Sequence, residues 1–262
     1  MITKLIEFNN KESDILRGIL VKPKKVYNNY IVLMFGGFER SGTTQKKFKK
    51  LSDELGKRNI ASFRFDATDC GLSDGNFYNI TIESLADDLL SAFSYLKKLS
   101  YQKVSIVGHS LASCAISLII KRINIEKVIL IAPALNQKDL LRYWFVQKNN
   151  QNIQINWNNY KDYLKEKEFI KNCKLDLITK SHKLNYQYRD KNKEIDYSLN
   201  FSDFDKKKLL LIHGAMDDKV PLKSLNINFL NRIIIKKGDH DLEQPGIIEQ
   251  WLDKAVKFLS LF

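Results

Sequence analysis

Short runs of apolar residues alternate with amphipathic segments along most of this sequence. The runs have the length of strands that are buried on both faces of a sheet, and they lie at 30–35, 60–66, 103–108, 127–133, 208–214 and 232–238. Apolar residues at helical spacing predict helices over 44–59, 81–98, 110–122 and 246–261. Near the start of the chain, residues 1–10 and 14–22 alternate in polarity, which predicts two strands joined by a polar turn.

The order of these elements predicts the fold class. Strands that alternate with helices along a chain pair in parallel through right-handed crossovers. The sequence therefore predicts an α/β fold with a doubly wound, mostly parallel central sheet of about eight strands.

One interval is too long for a single crossover helix. The 74 residues 135–208 separate two predicted core strands, and they are polar and rich in Asn and Lys. Helical patches near 140–145 and 160–170, together with bulky aromatic residues, argue against a structureless loop of that length. We therefore expect residues 1–134 and 209–262 to form the core, and residues 135–208 to form an inserted cap or lid.

Composition narrows the class of protein. The chain has 262 residues, of which 44% are hydrophobic, so it can bury a sizeable core and intrinsic disorder is excluded as its main state. No stretch approaches the roughly 20 apolar residues of a membrane span, and the N-terminal residues lack the apolar region of a secretory signal. Three widely spaced cysteines favour neither a disulfide framework nor a zinc ribbon. We expect a cytoplasmic protein without stable membrane insertion.

The net charge of +13 raises the question of a polyanionic partner such as a nucleic acid. Only eight of the 43 basic residues are arginine, whereas proteins that read phosphates and bases favour arginine for its bidentate contacts. The lysines are scattered along helical and loop segments. We interpret the charge as a solvated surface and expect no nucleic-acid partner, with a polyanion site as the alternative.

The most informative segment is V-S-I-V-G-H-S-L-A-S-C-A at 104–115. A predicted strand ends at Gly108, a helix of small residues follows, and Ser110 lies at the corner between them. Such a sharp turn strains the backbone and projects the serine hydroxyl above the sheet. The N–H groups at the start of the helix point toward the same place, where they can hold an oxyanion. The alternative is that Ser110 only caps its helix.

This segment resembles the nucleophile elbow of the α/β-hydrolase family, usually G-x-S-x-G. The sequence here is G-H-S-L-A, so Ala112 replaces the last glycine. The resemblance implies the α/β-hydrolase fold, with Ser110 as a nucleophile.

A serine hydroxyl needs a positioned base, which an acid in turn orients. Of the four histidines, His240 follows the last predicted strand in a loop before the closing helix, where the general base is expected. The loop after the preceding strand offers two acids, Asp217 and Asp218. The resemblance to the family pattern H-G-x-x-D-x-x-V-P selects Asp217. The order Ser110, Asp217, His240 matches the family order of nucleophile, acid and histidine.

The loop after strand 30–35 reads F-G-G-F-E-R-S-G. In the α/β-hydrolase family the matching loop contributes one backbone N–H of the oxyanion hole, often from the residue after a His-Gly pair. The resemblance implies that Phe38 is this donor and Leu111 the second donor. Gly36 stands in place of the histidine, so a hydrogen bond that braces the loop in the family is absent. The alternative is a plain Gly-Gly turn.

The whole sequence except the insertion resembles α/β-hydrolases, and its shape is closest to small carboxylesterases of the feruloyl and cinnamoyl esterase type. The resemblance implies a serine hydrolase that cleaves an ester or thioester of a small acyl or aryl-acyl group through an acyl-enzyme, with Trp144 lining the pocket. No cofactor or metal is expected, because phosphate-loop, dinucleotide and zinc motifs are absent. The alternatives are an acyltransferase or peptidase on the same fold, or a binding module with a relic triad. The sequence leaves homo-oligomerisation open.

Overall fold

The computed structural model describes residues 1–24, 29–179 and 181–260. Its strands are β1 (Ile2–Asn9), β2 (Ile15–Lys22), β3 (Tyr30–Phe35), β4 (Ala61–Phe65), β5 (Lys103–His109), β6 (Val128–Ile131), β7 (Leu177–Ile178), β8 (Lys183–Leu184), β9 (Leu209–Gly214) and β10 (Asn231–Ile235). Its α-helices are α1 (Lys46–Lys57), α2 (Ile82–Lys98), α3 (Ala112–Ile119), α4 (Gln137–Asn149), α5 (Glu166–Cys173), α6 (Gln187–Asn192) and α7 (Glu249–Ser260).

Eight of these strands form the central sheet, in the order β1-β2-β4-β3-β5-β6-β9-β10. The first two strands pair antiparallel, and β2 also pairs antiparallel with β4. The other neighbours in this sheet, β4-β3, β3-β5, β5-β6, β6-β9 and β9-β10, pair in parallel. The predicted α/β class and the mostly parallel sheet of eight strands are therefore confirmed. Parallel pairing brings the carboxyl ends of β3, β5, β9 and β10 to one edge of the sheet, where the candidate site lies.

Helices cover both faces of the sheet, as a doubly wound fold requires. Alternate residues of β3 point to opposite faces, because successive side chains of a strand do so. Ile31 and Leu33 pack in the apolar cluster formed with α2 and α3. Val32 and Met34 pack in the second cluster, with α1 and α7. Both faces of β3 are fully buried, which explains its unbroken apolar sequence.

The insertion between β6 and β9 is largely structured. It contains α4, α5 and α6, short 3₁₀ helices at Tyr160–Tyr163 and Tyr197–Phe201, and the hairpin β7–β8. Arg142 ties these elements together, because its guanidinium contacts Glu166 at 2.6 Å and Glu194 at 2.7 Å. The helical patches predicted near 140–145 and 160–170 correspond to α4 and to the 3₁₀ turn with α5. The separate cap role of residues 135–208 stays a prediction.

Several predicted boundaries are longer than the observed elements. The strand predicted over 127–133 ends at Ile131, because Ala132 turns the chain with a φ of +44°. The strand predicted over 232–238 ends at Ile235, and Gly238 then closes a turn with its N–H on the Ile235 carbonyl. Residues 25–28, 261 and 262 of the predicted core, and residue 180 of the predicted cap, lie outside the described residues. Of the helices in the described ranges, none has both the length and the apolar character needed to span a bilayer.

Candidate active site

Ser110 occupies the corner between β5 and α3. Its φ is +55°, in the left-handed region that residues with a side chain rarely adopt. Its N–H donates to the Ile131 carbonyl at 2.9 Å, which fixes the turn against the neighbouring strand β6. The geometry matches the strained strand-to-helix turn expected from the sequence.

The residues two positions before and two positions after Ser110 are small, because the strand and the helix approach closely there. A Cβ added to Gly108 would lie 2.3 Å from Ile116 Cδ1 and 3.3 Å from Ala112 Cβ. A larger residue at position 108 would therefore displace the Ile116 side chain, whereas the extra methyl of Ala112 is accommodated in the buried core. The departure from the usual G-x-S-x-G pattern leaves the shape of the turn intact.

A chain of two hydrogen bonds joins the three residues singled out from the sequence. His240 Nε2 lies 3.0 Å from Ser110 Oγ, and His240 Nδ1 lies 2.8 Å from Asp217 Oδ2. The three side chains come from the ends of β5, β9 and β10, so the parallel sheet brings together residues that are far apart in the chain. With Nδ1 protonated toward the carboxylate, Nε2 is free to accept the serine proton.

Asp217 is held rigidly beneath the histidine. Its side chain is wholly buried, and its Oδ1 accepts the N–H groups of Lys219 at 3.0 Å and Val220 at 2.8 Å. Asp218 is exposed, and it is Asp217 whose carboxylate contacts His240.

A second buried histidine supports the loop that carries His240. His109 Nε2 lies 3.0 Å from the His240 carbonyl oxygen, and the two rings lie 4.9 Å apart between centroids. Burial, aided by the positive charge of Lys47, lowers the pKa of His109 well below its usual value. The ring is therefore neutral near pH 7 and donates its Nε2 proton to the carbonyl.

Residues 36–40, which we call the oxyanion loop after the role that the sequence predicts for Phe38, lie directly against the turn that carries Ser110. A Cβ added to Gly37 would lie 3.0 Å from both the His109 carbonyl oxygen and Ser110 Cβ. Within the described residues, the backbone N–H groups of Phe38 and Leu111 have no hydrogen-bond acceptor. Both residues line the same cavity as Ser110 and His240, so both amides are available to a ligand.

The sequence profile of the family described as serine aminopeptidase, S33 matches residues 28–236, which is most of the chain. The chain belongs to this family of α/β-hydrolases. The resemblance inferred from the nucleophile turn and the two following motifs is therefore confirmed. A comparison with curated proteins found no significant match.

Solved structures share the fold of this S33-family protein across nearly its whole length. Est1E from Butyrivibrio proteoclasticus, solved with ferulic acid bound, is 19% identical, with 97% of each chain covered and a TM-score of 0.74. An esterase from Pyrococcus furiosus is 15% identical, with 98% of this chain and 90% of that chain covered and a TM-score of 0.68. The mouse α/β-hydrolase domain-containing protein 10 is 19% identical, covers 98% and 100%, and has a TM-score of 0.65. At these identities the similarity establishes the fold.

A cavity of about 620 Å³ opens above Ser110 in the S33-family protein. Its floor is the carboxyl edge of the sheet, and its other side is lined by residues of the insertion. Trp144, singled out from the sequence, is among them, and its indole N–H donates to the Lys219 carbonyl at 2.6 Å. Leu141, Leu177 and Tyr188 add further apolar surface from the insertion.

Sequence reasoning missed these further lining residues and one polar contact. The Glu39 carboxylate of the oxyanion loop contacts Thr179 and His182 of the insertion. In the sequence, only the position of Glu39 next to Phe38 points to this contact, and nothing marks Thr179 or His182 as its partners.

No cluster of three or more His, Cys, Asp or Glu side chains suited to a metal ion occurs in the described ranges. The three cysteines are buried and free.

Proposed function

We propose that this protein is a serine hydrolase that cleaves a carboxylic ester or thioester of a small acyl or aryl-acyl group through an acyl-enzyme. The observation that carries the proposal is the hydrogen-bonded chain Ser110–His240–Asp217 at the floor of an open cavity. A serine hydroxyl linked to a histidine, with the histidine linked to a buried carboxylate, has the arrangement that nucleophilic acyl transfer requires.

In the proposed reaction, Ser110 Oγ attacks the substrate carbonyl carbon while His240 Nε2 takes the hydroxyl proton. Asp217 keeps the imidazole oriented and stabilises its positive charge. The negative charge on the former carbonyl oxygen is stabilised by the backbone N–H groups of Phe38 and Leu111. The C–O or C–S bond then breaks, His240 returns the proton to the leaving group, and Ser110 carries the acyl group.

Deacylation repeats these steps with water. His240 Nε2 removes a proton from a water molecule, which attacks the acyl carbon of the Ser110 ester. A second tetrahedral oxyanion occupies the same two backbone donors, and its collapse releases the acid and returns the proton to Ser110. The low pKa of the neighbouring His109 leaves that ring uncharged, so it does not oppose the positive charge that develops on His240.

The cavity lining supports a small acyl or aryl-acyl substrate. Leu141, Trp144 and Tyr188 present apolar and aromatic surface above the nucleophile, which favours burial of an aliphatic chain or ring. The solved structure of Est1E with bound ferulic acid shows that an aryl-acyl acid is bound on the same fold in that protein. Location in the cytoplasm and homo-oligomerisation stay predictions.

The second candidate is a peptidase, because the family description is that of a serine aminopeptidase. The same triad would then attack an amide next to a free amino group. An acyltransferase, which uses an alcohol in place of water, and a binding module without turnover are the remaining candidates.

A substrate panel separates these candidate functions. Wild type and Ser110→Ala are incubated with p-nitrophenyl esters of short, medium and aromatic acids, with acyl thioesters and with aminoacyl p-nitroanilides. We expect ester or thioester turnover in wild type, with a loss of several orders of magnitude in Ser110→Ala. Equal rates in the two proteins would contradict the proposal, and preferential cleavage of the anilides would favour the peptidase.

A further inference from the structure

The oxyanion loop is a tight turn that contains a strained residue at its apex. The Arg40 N–H donates to the Gly37 carbonyl at 3.1 Å, which closes the turn. Glu39 has a φ of +54°, an unfavourable conformation for a residue with a side chain. Such a conformation persists only where surrounding contacts hold it, and the contacts of Glu39 come from its side chain.

The carboxylate of Glu39 is bound by the tip of the β7–β8 hairpin. Its Oε1 accepts the hydroxyl of Thr179 and lies 3.0 Å from His182 Nδ1. Thr179 and His182 are fixed to each other, because the Thr179 N–H donates to the His182 carbonyl and the His182 N–H donates to Thr179 Oγ1, both at 2.9 Å. Glu39 is thus anchored to a closed hairpin turn of the insertion.

The residue before Glu39 is attached to the same hairpin through aromatic contacts. The His182 ring stacks on Phe77 with 4.2 Å between centroids, and Phe77 meets the ring of Phe38 edge to face at 5.3 Å. Phe38 also contacts Tyr188 of the insertion at 5.8 Å. Both Phe38 and Glu39 are therefore positioned from outside the loop.

At the start of the loop, position 36 has no room for a side chain that could stabilise the loop. A Cβ added to Gly36 would lie 2.4 Å from the Arg40 carbonyl oxygen and 3.0 Å from Gln45 Nε2. The chain just after the loop is held differently, since Asp66 accepts the Thr43 N–H at 2.9 Å and the Ser41 hydroxyl at 2.8 Å. The apex at Phe38 and Glu39 depends on the insertion.

We propose that Glu39 is a positioning residue, whose carboxylate, held by Thr179 and His182, keeps the oxyanion loop in the conformation that presents the Phe38 N–H to the tetrahedral oxyanion. This inference rests on the proposed function. Loss of the carboxylate allows Glu39 to relax toward negative φ, which displaces the neighbouring Phe38 amide. The Ser110–His240–Asp217 chain does not contact Glu39 and stays in place.

The test compares Glu39→Ala with Glu39→Gln, which keeps an oxygen that accepts from Thr179. An exposed glutamate of α5 supplies the matched control, Glu168→Ala. The substrate is p-nitrophenyl acetate, whose acyl group is short, and the probe is an aryl trifluoromethyl ketone that forms a tetrahedral adduct with Ser110. We expect Glu39→Ala to lower kcat and weaken ketone binding by about tenfold each, with KM unchanged. Glu39→Gln and Glu168→Ala should stay close to wild type.

A second variant tests the same contact in case Glu39→Ala does not fold. Thr179→Val removes the hydroxyl with little change of shape, and we expect it to lower kcat in the same direction as Glu39→Ala, with a combined effect smaller than the product of the two. Thermal unfolding reports whether each variant is folded. A kcat and ketone affinity equal to wild type in both folded variants would overturn the positioning role.

Labelling with a fluorophosphonate separates the two levels of the proposal. Wild-type labelling at Ser110, with unchanged kcat in Glu39→Ala and Thr179→Val, would contradict the role of Glu39 alone. Failure of wild type to label or to turn over any ester would contradict the proposed function, and the role of Glu39 with it.

Discussion

The carboxyl edge of the sheet and the insertion both line the cavity, but they are held in different ways. At the sheet edge, Asp217 and His240 are almost fully buried, and each is fixed by hydrogen bonds to its neighbours. On the insertion side, Trp144 is secured by one solvent-exposed hydrogen bond and Thr179 by its contacts at a hairpin tip. Under the proposed function, the core would fix the reacting groups, and we expect the insertion to set which substrates reach them.

The difference between the sheet edge and the insertion follows from how their side chains are buried. Side chains at the ends of buried strands lose their alternative rotamers to close packing, so the distances between them are well defined. The insertion packs an apolar cluster around residues such as Leu140, and it is also held by polar contacts of Arg142, whose partners Glu166 and Glu194 are about half exposed. Changes at the sheet edge should therefore alter the chemical step. Changes at the insertion residues that line the cavity should alter substrate preference, whereas the contact of Thr179 and His182 with Glu39 should act on the chemical step.

The largest expected effect comes from the acid of the proposed triad. Asp217→Asn keeps the size of the side chain but removes the charge that orients His240, and we expect kcat to fall by about 10⁴-fold. The neighbouring exposed residue gives the matched control, Asp218→Asn, which should keep wild-type kcat. Steady-state ester hydrolysis measures both, and equal losses in the two variants would contradict the assignment of Asp217.

The next effect concerns the packing beneath Ser110. Gly108→Val places methyl groups into Ile116, and we expect a destabilisation of about 1–3 kcal/mol with a lower kcat, because the nucleophile turn must shift. Ala112→Gly restores the usual family residue and should cost about 1 kcal/mol or less through helix propensity, with kcat unchanged. Urea unfolding and ester hydrolysis give the two readouts. A Gly108→Val variant as stable and active as wild type would refute the packing argument.

The third prediction concerns pH. Burial lowers the pKa of His109 below its usual value of 6.5, so below pH 6.5 the unfolded chain binds a proton that the folded chain excludes. Stability should therefore fall as the pH falls through this range, by up to about 1.4 kcal/mol per pH unit from this group.

His109→Gln tests that prediction, because glutamine can still donate to the His240 carbonyl but does not titrate. We expect a shallower loss of stability between pH 6.5 and 5 in urea unfolding, and parallel curves for the two proteins above pH 7. His213, whose pKa burial also lowers, should leave a remaining slope. An identical slope in wild type and His109→Gln would show that this histidine does not cause the dependence.

The smallest effect is expected in the insertion. Trp144→Ala removes aromatic surface from the cavity, and we expect kcat/KM for an aryl-acyl ester to fall about tenfold, with little change for p-nitrophenyl acetate. Leu199→Ala, at a highly exposed position of the same insertion, serves as the control. An equal loss for both esters would mean that Trp144 affects the chemical step, which would contradict the proposed difference between the sheet edge and the insertion.

The same contrast determines what could be predicted from the sequence. The strands of the core were predictable because burial on both faces gives unbroken apolar runs such as 30–35. Ser110, Asp217 and His240 were predictable as candidates because each follows such a run, and the topology of a parallel sheet brings strand ends together. The choice between Asp217 and Asp218 needed either the family pattern or the geometry, since both residues lie in the same loop.

The insertion was less predictable for physical reasons. Its contacts join single residues that are far apart in the chain, as in the pair Glu39 and His182, and such pairs leave no periodicity. Leu177 and Tyr188 line the cavity from short elements whose sequences resemble exposed segments. The oxyanion loop lies between the two cases, because its Gly-Gly pair was visible in the sequence while the anchor of Glu39 was not.

The central claim is that Ser110 is a nucleophile activated by His240. Its most direct test is fluorophosphonate labelling followed by peptide mass mapping of wild type, Ser110→Ala and His240→Ala. We predict one adduct on Ser110 in wild type, none in Ser110→Ala, and labelling of His240→Ala slowed by several orders of magnitude. No adduct in wild type, an adduct on another residue, or equal labelling rates in wild type and His240→Ala would contradict the account.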